Sequence, residues 1–381
     1  MALLRHQRLT NRLRCLAPEV IEMDNSQSVQ PRRHGPTILT LYAALAFMGC
    51  GDPDSSHQMS VNQPVRSSVG KPDAEAILTG RRIDPGGKSE DDPSHNFGAL
   101  SWELMALATG EQLAGGRYQR ILEQPVAIFR ASQWDETRGC SKTHPYYGGT
   151  GYDERSTPDL LHTAQAVQAL RVAGIPADDP YVQRAVIFIS RCQRLNGLSD
   201  DRADGGDPDE GGLTFDPSKA TSSKRDGTRS SRRPCGAATC MGLSSLLAAG
   251  ISPEDARIQG TLRWLRAHYS LDTHPGMTCA NEGLYRYYYE FAKAMTGLGQ
   301  DQLRDARGVV HNWRGELAQR LAARQRPDGS WVNPEESAEQ AWCGPVTITS
   351  FALLTLDQIG DSRGLNRRRG QGATLLKKVA W

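Results

Sequence analysis

Two stretches of this sequence repeat one another closely enough to fix the kind of fold that the chain can adopt. Residues 173–193 read AGIPADDPYVQRAVIFISRCQ, and residues 249–269 read AGISPEDARIQGTLRWLRAHY. In each, an apolar helix ends at a glycine. An Asp or Ser cap follows, a proline (Pro180 or Pro253) takes the first helical position, and an amphipathic helix begins. Such a unit cannot bury its apolar helix alone, so several units must pack side by side.

A similar pair of helices is predicted near the C-terminus. The segment Trp313–Gln325 carries its apolar residues on one stripe, whereas Pro345–Ile359 begins with proline and is apolar on most faces. A Pro-Asp-Gly turn at residues 327–329 joins them, and Trp331 is placed to cap the pair. The first helix is therefore expected to be half exposed and the second to be buried.

Further helices precede and separate these units. Apolar periodicity predicts them near residues 97–107, 118–133, 157–174 and 281–296. In the third, Thr157 is the expected N-cap, Pro158 takes the first helical position, Asp159 lies in the first turn and Gly174 closes the helix. Four hairpins of roughly 50 to 75 residues predict an all-α domain at residues 97–360, a closed or nearly closed toroid of inner and outer helices.

The first 96 residues differ from this pattern. An apolar run of about 12 residues, from Thr37 to Met48, has the length of a signal-peptide core and is too short to span a bilayer. Gly49 then precedes Cys50, as at a lipoprotein cleavage site. We expect residues 1–50 to be a signal region with Cys50 lipidated, and the alternative is a plain apolar helix. Either Met1 or Met23 can be the start.

Composition sets the expected surroundings of this domain. Residues 51–96 have few apolar side chains and predict a disordered tether. With the signal region and a lipidated Cys50, we expect an extracytoplasmic, membrane-anchored lipoprotein. The 45 basic and 43 acidic residues leave a net charge of +2, which argues against a nucleic-acid partner. Residues 361–381 form a basic tail that is expected to be solvated. The sequence does not indicate an oligomeric state.

A polar stretch near residues 199–234 is predicted to be a surface insert of the toroid. Within it, Asp207-Pro208-Asp209-Glu210 is expected to be a solvated loop, and a calcium-binding oxygen cluster that includes Asp204 is the alternative. Six cysteines fall in the domain, with no CxxC pair and no spacing typical of a metal site, so no metal or cofactor is expected. Their pairing is left open: Cys140, Cys192, Cys235, Cys240, Cys279 and Cys343.

Three motifs, together with the paired helices, resemble the prenyltransferase and squalene-oxidase repeat. They are Gln-x-x-Asp-Gly-Ser-Trp at residues 325–331, Gly-Gly-Leu-Thr-Phe at 211–215 and Tyr-Gly-Gly-Thr-Gly-Tyr at 147–152. The resemblance covers about residues 97–360. It implies the α/α toroid of terpenoid cyclases and of protein prenyltransferase β subunits, with a central ligand cavity near the N-terminal ends of the inner helices.

The catalytic patterns of those two classes are absent from the sequence. It contains neither the Asp-x-Asp-Asp motif with which squalene-type cyclases protonate their substrate nor the Asp-x-Cys pair that holds zinc in protein prenyltransferases. Whether the protein is an enzyme is therefore uncertain, and fold alone does not decide it. A cyclase or prenyltransferase relative, a polysaccharide-processing enzyme and a protein-interaction scaffold all remain as alternatives.

Tyrosine-rich segments supply the leading hypothesis, a central cavity that binds an apolar, isoprenoid-like or glycan ligand. Its predicted lining is Tyr146, Tyr147, Tyr152, Asp159, His162, Tyr285 and Trp342. Within this set, Asp159 and His162 are three residues apart at the start of one helix, so their side chains share a face. The imidazole is a candidate general base or ligand anchor, and the alternative is that Asp159 only caps the helix while His162 packs.

Overall fold

The computed structural model describes residues 96–114, 119–195, 208–220, 233–277, 281–333 and 344–360. The helices in these residues are α1 (Phe97–Ala114), α2 (Gln119–Ser132), α3 (Leu160–Val172), α4 (Pro180–Cys192), α5 (Pro217–Ala220), α6 (Gly236–Ala248), α7 (Ala256–Ala267), α8 (Leu284–Gly297), α9 (Trp313–Arg324) and α10 (Pro345–Gly360). A 3-10 turn covers Glu136–Arg138, and β1 (Leu303–Arg304) pairs antiparallel with β2 (Val310–His311).

These helices form two layers. The inner layer consists of α1, α3, α6, α8 and α10, which pack side by side in that order. The helices α2, α4, α7 and α9 lie outside, and each packs on an inner helix next to it in sequence. This arrangement is the α/α toroid that the repeats predicted. Among the described residues, α1 and α10 are packed together less extensively than the inner helices that follow one another in this order.

The inner helices run in the same direction. At one end, Gly98 of α1 lies beside the ring of His162 of α3, and Gly236 of α6 lies against the ring of Tyr287 of α8. At the other end, Arg171 Nε donates to the carbonyl oxygen of Ala248 at 2.7 Å, which joins the C-terminal ends of α3 and α6. The inner helices therefore begin together, and we call that end of the ring the mouth.

The glycine motifs are explained by a packing contact that recurs. Gly148 has a φ of 85°, and a Cβ there would lie 2.0 Å from the carbonyl oxygen of Arg184 in α4. Gly211 has a φ of 86°, and its Cβ would lie 2.1 Å from the carbonyl oxygen of Gly260 in α7. Only glycine allows both the positive φ and this approach of the loop to an outer helix.

A glutamine holds each of these loops in place. Gln133 Nε2 donates to the carbonyl oxygens of Gly148 and Tyr181, both at 2.9 Å. Gln193 Nε2 donates in the same way to Gly211 at 3.0 Å and to Arg257 at 2.8 Å. The glutamine at the end of an outer helix is therefore a structural part of the repeat, because it satisfies loop carbonyls that are buried.

This packing corrects the predicted surface insert. Gly211–Thr214 are buried, and Leu213 forms an antiparallel bridge with Gln193. Asp209, predicted to be solvated, is 7% exposed and lies 3.1 Å from Arg233. This part of the segment therefore lies inside the fold, where it repeats the packing of the loop at Gly148.

Two helix starts also differ from their predictions. The N-cap of α3 is Asp159 itself, not Thr157, because the side chain of Asp159 accepts from the backbone N–H of His162. The N-cap of α7 is Asp255, so Pro253 precedes the helix instead of opening it. Asp179 caps α4 with nearly the same backbone angles as Asp255, and Pro180 takes the first position as predicted.

Other predictions fall outside the described residues. The signal region with Cys50, the predicted tether except for its last residue, Asn96, and the basic tail at 361–381 are among them. None of the helices that the structure describes has the length and the apolar character needed to cross a membrane.

Candidate functional site

The best-defined polar pair at the mouth is Asp159 with His162, at the start of α3. Asp159 Oδ1 accepts from the backbone N–H of His162 at 2.9 Å, and Oδ2 lies 2.7 Å from His162 Nδ1. A carboxylate only accepts, so Nδ1 carries the proton that it donates. In the neutral imidazole the lone pair is then on Nε2, which has no hydrogen-bond partner among the described residues.

Two residues of other segments complete the surroundings of this imidazole. The ring of Tyr152 meets the His162 ring edge to face, with 5.6 Å between the centroids. The Tyr152 hydroxyl accepts from Asn96 Nδ2 at 2.9 Å, and Tyr152 is 48% exposed. Gly98 is also a neighbour of His162, and a Cβ there would be 3.6 Å from Nε2. The imidazole is therefore held in one orientation beside an exposed aromatic ring.

Tyr146 lies beside this group. The backbone N–H of Leu160, the first residue of α3, donates to the carbonyl oxygen of Phe215 at 2.8 Å. The next residue, Asp216, accepts from the Tyr146 hydroxyl at 3.2 Å. Burial raises the pKa of Tyr146, so its hydroxyl keeps its proton and acts as a donor at neutral pH. The mouth thus combines carboxylates, an imidazole, an amide and two phenols.

The other predicted lining residues are not part of this group. Tyr147 is 2% exposed, and its hydroxyl donates to the carboxylate of Glu136 in the outer 3-10 turn. Tyr285 is 1% exposed and packs edge to face on Tyr288, with 5.7 Å between the ring centroids. Both are packing residues, because each is buried against the side chains around it. Trp342 lies outside the described residues.

Aromatic side chains fill the middle of the ring at the level of α8. Tyr289 lies there, with its ring centroid 6.2 Å from that of Trp102 in α1 and 5.9 Å from that of Phe351 in α10. Lys293 Nζ lies 4.7 Å from the centroid of the Tyr289 ring. Side chains therefore occupy the middle of the ring, whereas the ligand was predicted nearer the N-terminal ends of the inner helices.

A buried polar chain crosses this centre. Lys293 Nζ lies 2.6 Å from Glu290 Oε2 and donates to Gln168 Oε1 of α3 at 3.0 Å. Gln168 Nε2 in turn donates to Ser245 Oγ of α6 at 2.9 Å. Burial lowers the pKa of Lys293, although the Glu290 carboxylate acts in the opposite direction. These groups link three inner helices.

Sequence reasoning missed the residues of the centre and two residues of the mouth, Asn96 and Asp216. Glu290 and Lys293 stand three positions apart in a helix that is otherwise mostly aromatic and apolar, which was a usable signal for a buried pair. Asn96 gave no signal, because its neighbour Tyr152 is 56 residues away in the sequence.

The cysteines and metal-binding side chains add no site in the described residues. Cys140, Cys192, Cys235 and Cys240 are buried free thiols, and burial raises the pKa of Cys235 to about 11. No group of three His, Cys, Asp or Glu side chains that could hold a metal occurs within the described ranges. Cys279 and Cys343 are not among the described residues.

Comparison with known proteins adds only similarities of structure. No protein-family model matches the chain, and no curated protein matches it either. A D-mannose isomerase structure is 12% identical, covers 88% of this chain and 100% of its own, and has a TM-score of 0.45. A GH76 α-mannanase of Bacteroides thetaiotaomicron is 10% identical, covers 74% of this chain and 73% of its own, and has a TM-score of 0.42.

A third similar structure is the type II terpene cyclase MstE from Scytonema. It is 15% identical, covers 76% of this chain and 96% of its own, and has a TM-score of 0.38. Similarities at this level carry no argument about function. The helix order and the packing of its own inner and outer layers define this protein as an α/α toroid.

Proposed function

We propose that this protein is a ligand-binding toroid that takes a hydroxylated, glycan-like molecule at the mouth of the ring. The observation that carries the proposal is His162: its Nδ1 is held by Asp159 at 2.7 Å, and its Nε2 lacks a partner among the described residues. A ligand hydroxyl can donate to Nε2. Asn96 and Asp159 offer further polar groups, and the face of Tyr152 can cover the apolar side of a sugar ring.

The choice of a glycan over an isoprenoid rests on the packing of the centre. An apolar chain needs an apolar cavity that removes it from water. Tyr289 and its neighbours fill the middle of the ring, and the Lys293–Glu290 pair is polar and buried there. The mouth, by contrast, presents polar groups beside an exposed ring. A polyhydroxylated ligand matches that chemistry better.

Catalysis is the second candidate, and one observation favours it. A carboxylate that orients an imidazole through Nδ1 is the arrangement in which Nε2 serves as a general base. In that case His162 removes a proton from a ligand hydroxyl or from water. A scaffold without a small ligand is the third reading, and the filled centre is compatible with it.

The cellular location of the protein is a further part of this proposal. With Cys50 lipidated and residues 51–96 acting as a tether, the toroid would be held at an extracytoplasmic membrane surface. Cys50→Ser should move the protein from the membrane fraction to the soluble fraction. An unchanged distribution would remove the lipoprotein hypothesis and leave the site at the mouth unaffected.

Calorimetric titration tests the function directly. The full chain is titrated with a panel of neutral oligosaccharides and, separately, with farnesol in detergent. We expect saturable binding of at least one oligosaccharide, and its loss in His162→Gln and in Tyr152→Ala. His268→Gln, on the outer helix side, is the matched imidazole control and should bind as the wild type does. Binding of farnesol alone would overturn the glycan proposal, and binding of neither ligand would favour the scaffold.

A further inference from the structure

Arg286 is a cation at the mouth that the site around His162 does not use. It lies in the first turn of α8, at the end of the ring where the inner helices begin. Its charge acts on the start of the neighbouring inner helix. Burial lowers the pKa of the His274 imidazole, and the positive charge of Arg286 lowers it further. His274 Nε2 accepts from the backbone N–H of Ala237 in the first turn of α6.

The guanidinium of Arg286 has no polar partner. It makes no hydrogen bond and no ion pair with any residue that the structure describes. Nε is buried, whereas Nη1 and Nη2 keep accessible surface in a side chain that is only partly buried. The group lies over the ring of Phe351 in α10, with 5.7 Å from Cζ to the ring centroid. An aromatic face attracts a guanidinium but accepts no N–H···O bond, so the two terminal nitrogens can still donate.

Arg314 shows how an arginine in a structural role differs. It also lies over an aromatic ring, with 4.3 Å from its Cζ to the centroid of Trp313. In addition, it donates to Asp301 Oδ1 at 3.1 Å and to the carbonyl oxygen of Gln358 at 2.6 Å. These acceptors join α9 to α10. Arg286 has the ring contact without the acceptors, and packing therefore explains its position but not its unused donors.

Arg286 lies on the mouth side of the aromatic residues that fill the middle of the ring. Tyr289 is three residues further along α8, so the two side chains share a face of the helix. The Tyr289 ring packs between those of Trp102 and Phe351, with 6.2 and 5.9 Å between the centroids. A ligand that enters the mouth meets these rings with Arg286 beside them.

One loop connects the α3 side of the mouth with the α6 side. The carbonyl oxygen of Phe215 accepts from the backbone N–H of Leu160 at the start of α3, at 2.8 Å. The carbonyl oxygen of Leu213 accepts from the backbone N–H of Cys235, the N-cap of α6, at 3.3 Å. The helix α6 in turn packs on α8. His162 and Arg286 therefore belong to one continuous rim.

The two ends of this rim differ in charge. Two interhelical spacings of about 8–10 Å separate α3 from α8, which is at most about 20 Å. An oligosaccharide of several residues has the length to contact both ends. Asp159 places a carboxylate beside His162, which disfavours an anion at the α3 end. An acidic group on the ligand is therefore expected at Arg286.

We propose that the ligand of the mouth is an acidic oligosaccharide, with carboxylates or sulfate esters, and that Nη1 and Nη2 of Arg286 bind one of these oxyanions. This inference rests on the proposed function and narrows its class of ligand. A planar guanidinium matches a carboxylate or a sulfate with two parallel hydrogen bonds. The uncharged part of the ligand stays at His162 and Tyr152.

Calorimetric titration of the full chain tests this with ligand pairs that differ only in charge. One arm compares oligogalacturonates with their methyl esters, and the other compares sulfated galactan oligosaccharides with the same oligosaccharides after desulfation. We expect the acidic member of at least one pair to bind about tenfold or more tightly than the neutral member. The arm that shows the preference identifies the oxyanion. Arg286→Gln should reduce the preference to about threefold or less and leave binding of the neutral member unchanged.

Two further variants serve as controls. Arg263→Gln removes an exposed arginine from the outer helix α7, and its preference should stay within about twofold of the wild type. Arg286→Lys keeps the charge over Phe351 without the planar fork and should show an intermediate preference. It also gives the comparison if thermal unfolding shows that Arg286→Gln is unstable.

The outcomes separate this inference from the proposed function. Equal binding of neutral and acidic members in both pairs would overturn the acidic class, and so would a preference that Arg286→Gln and Arg286→Lys retain or that Arg263→Gln loses equally. In each of these cases, neutral binding that is lost in His162→Gln still supports the site at the mouth. Absence of binding by every member of both pairs would overturn both.

Discussion

Lys293 Nζ lies 2.6 Å from Glu290 Oε2 in the middle of the ring, and the two side chains are 4% and 2% exposed. Removing two charges from water costs free energy that only close pairing and further hydrogen bonds can offset. Gln168 supplies such a bond to Lys293. The hydrogen bond from Lys293 to Gln168 forms only when α8 is in register with α3. The pair therefore contributes more to the specificity of this helix packing than to net stability.

The first prediction concerns removal of one charge from this pair. Lys293→Met leaves Glu290 buried without a counter-ion, so we expect the free energy of unfolding to fall by about 3–5 kcal/mol. Denaturant unfolding followed by circular dichroism measures it. The double variant Glu290→Gln with Lys293→Met should recover most of this loss, since both charges are gone. A single variant within about 1 kcal/mol of the wild type would contradict the burial of the pair.

The second prediction concerns acid stability. His274 is buried, its Nε2 accepts from the backbone N–H of Ala237 at the start of α6, and its Nδ1 bonds to the carbonyl oxygen of Glu282. Burial lowers the pKa of His274 from 6.5 to about 4. Between these pH values the unfolded state binds a proton that the native state does not, so the free energy of unfolding falls as the pH falls.

For a shift of this size the loss from His274 alone is about 3 kcal/mol between pH 6.5 and pH 4. His274→Gln keeps an acceptor and a donor but does not titrate. We therefore expect the stability difference between wild type and variant to shrink across this range in denaturant titrations at several pH values. A difference that stays constant from pH 7 to pH 4 would show that His274 is not held neutral.

The third prediction concerns alanine substitutions at glycines with positive φ. It separates the loss of stability caused by the backbone conformation from the loss caused by a steric clash. A Cβ added at Gly139, where φ is 73°, would have nothing within 4 Å, whereas a Cβ added at Gly148 would lie 2.0 Å from the carbonyl oxygen of Arg184. Gly139→Ala should lower the free energy of unfolding by about 1–2 kcal/mol, the cost of the backbone conformation alone. Gly148→Ala should cost at least about 3 kcal/mol, because α4 must also move.

Thermal and denaturant unfolding of the two alanine variants give this comparison. Gly211→Ala, at the equivalent loop against Gly260, should behave like Gly148→Ala. Equal losses in all three variants would mean that the contact between loop and outer helix is not required.

The fold was predictable from the sequence because its signals are local and repeated. Asp179 and Asp255 cap α4 and α7 with nearly identical backbone angles. The same motif precedes both helices, and its two copies in the sequence indicated how inner and outer helices alternate. The segment at Gly211 was misjudged because its surroundings are rich in polar residues, and burial there depends on α7, which comes later in the chain.

The site was less predictable, for a similar reason. The Asp159–His162 contact follows from a spacing of three residues in a helix start, and it was predicted. The hydrogen bond from Lys293 to Gln168 joins residues 125 positions apart, and no local pattern encodes it. Tyr147 and Tyr285 were assigned to the cavity because tyrosine suits both packing and binding, and only the positions of the outer helices decide between these roles.

The fourth prediction tests whether Asp159 sets the tautomer of His162. In Asp159→Asn the amide oxygen can still accept from the His162 backbone N–H, so helix α3 keeps its cap and the free energy of unfolding should change by less than about 1 kcal/mol. The amide NH₂ then faces Nδ1 in place of Oδ2. Nδ1 must then accept a hydrogen bond from this amide, so the proton of the neutral imidazole moves to Nε2. Nε2 can then no longer accept a hydrogen bond from a ligand hydroxyl.

Nitrogen-15 NMR of the histidine rings reads this change without any ligand. We expect the wild type to carry the proton of neutral His162 on Nδ1 and Asp159→Asn to carry it on Nε2, with loss of oligosaccharide binding in the variant. Asp255→Asn makes the same change at the N-cap of the outer helix α7 and should leave both the tautomer of His162 and the binding unaltered. If Asp159→Asn keeps the proton on Nδ1 and binds the oligosaccharide as the wild type does, Asp159 is only a helix cap, and the site at the mouth does not depend on the imidazole.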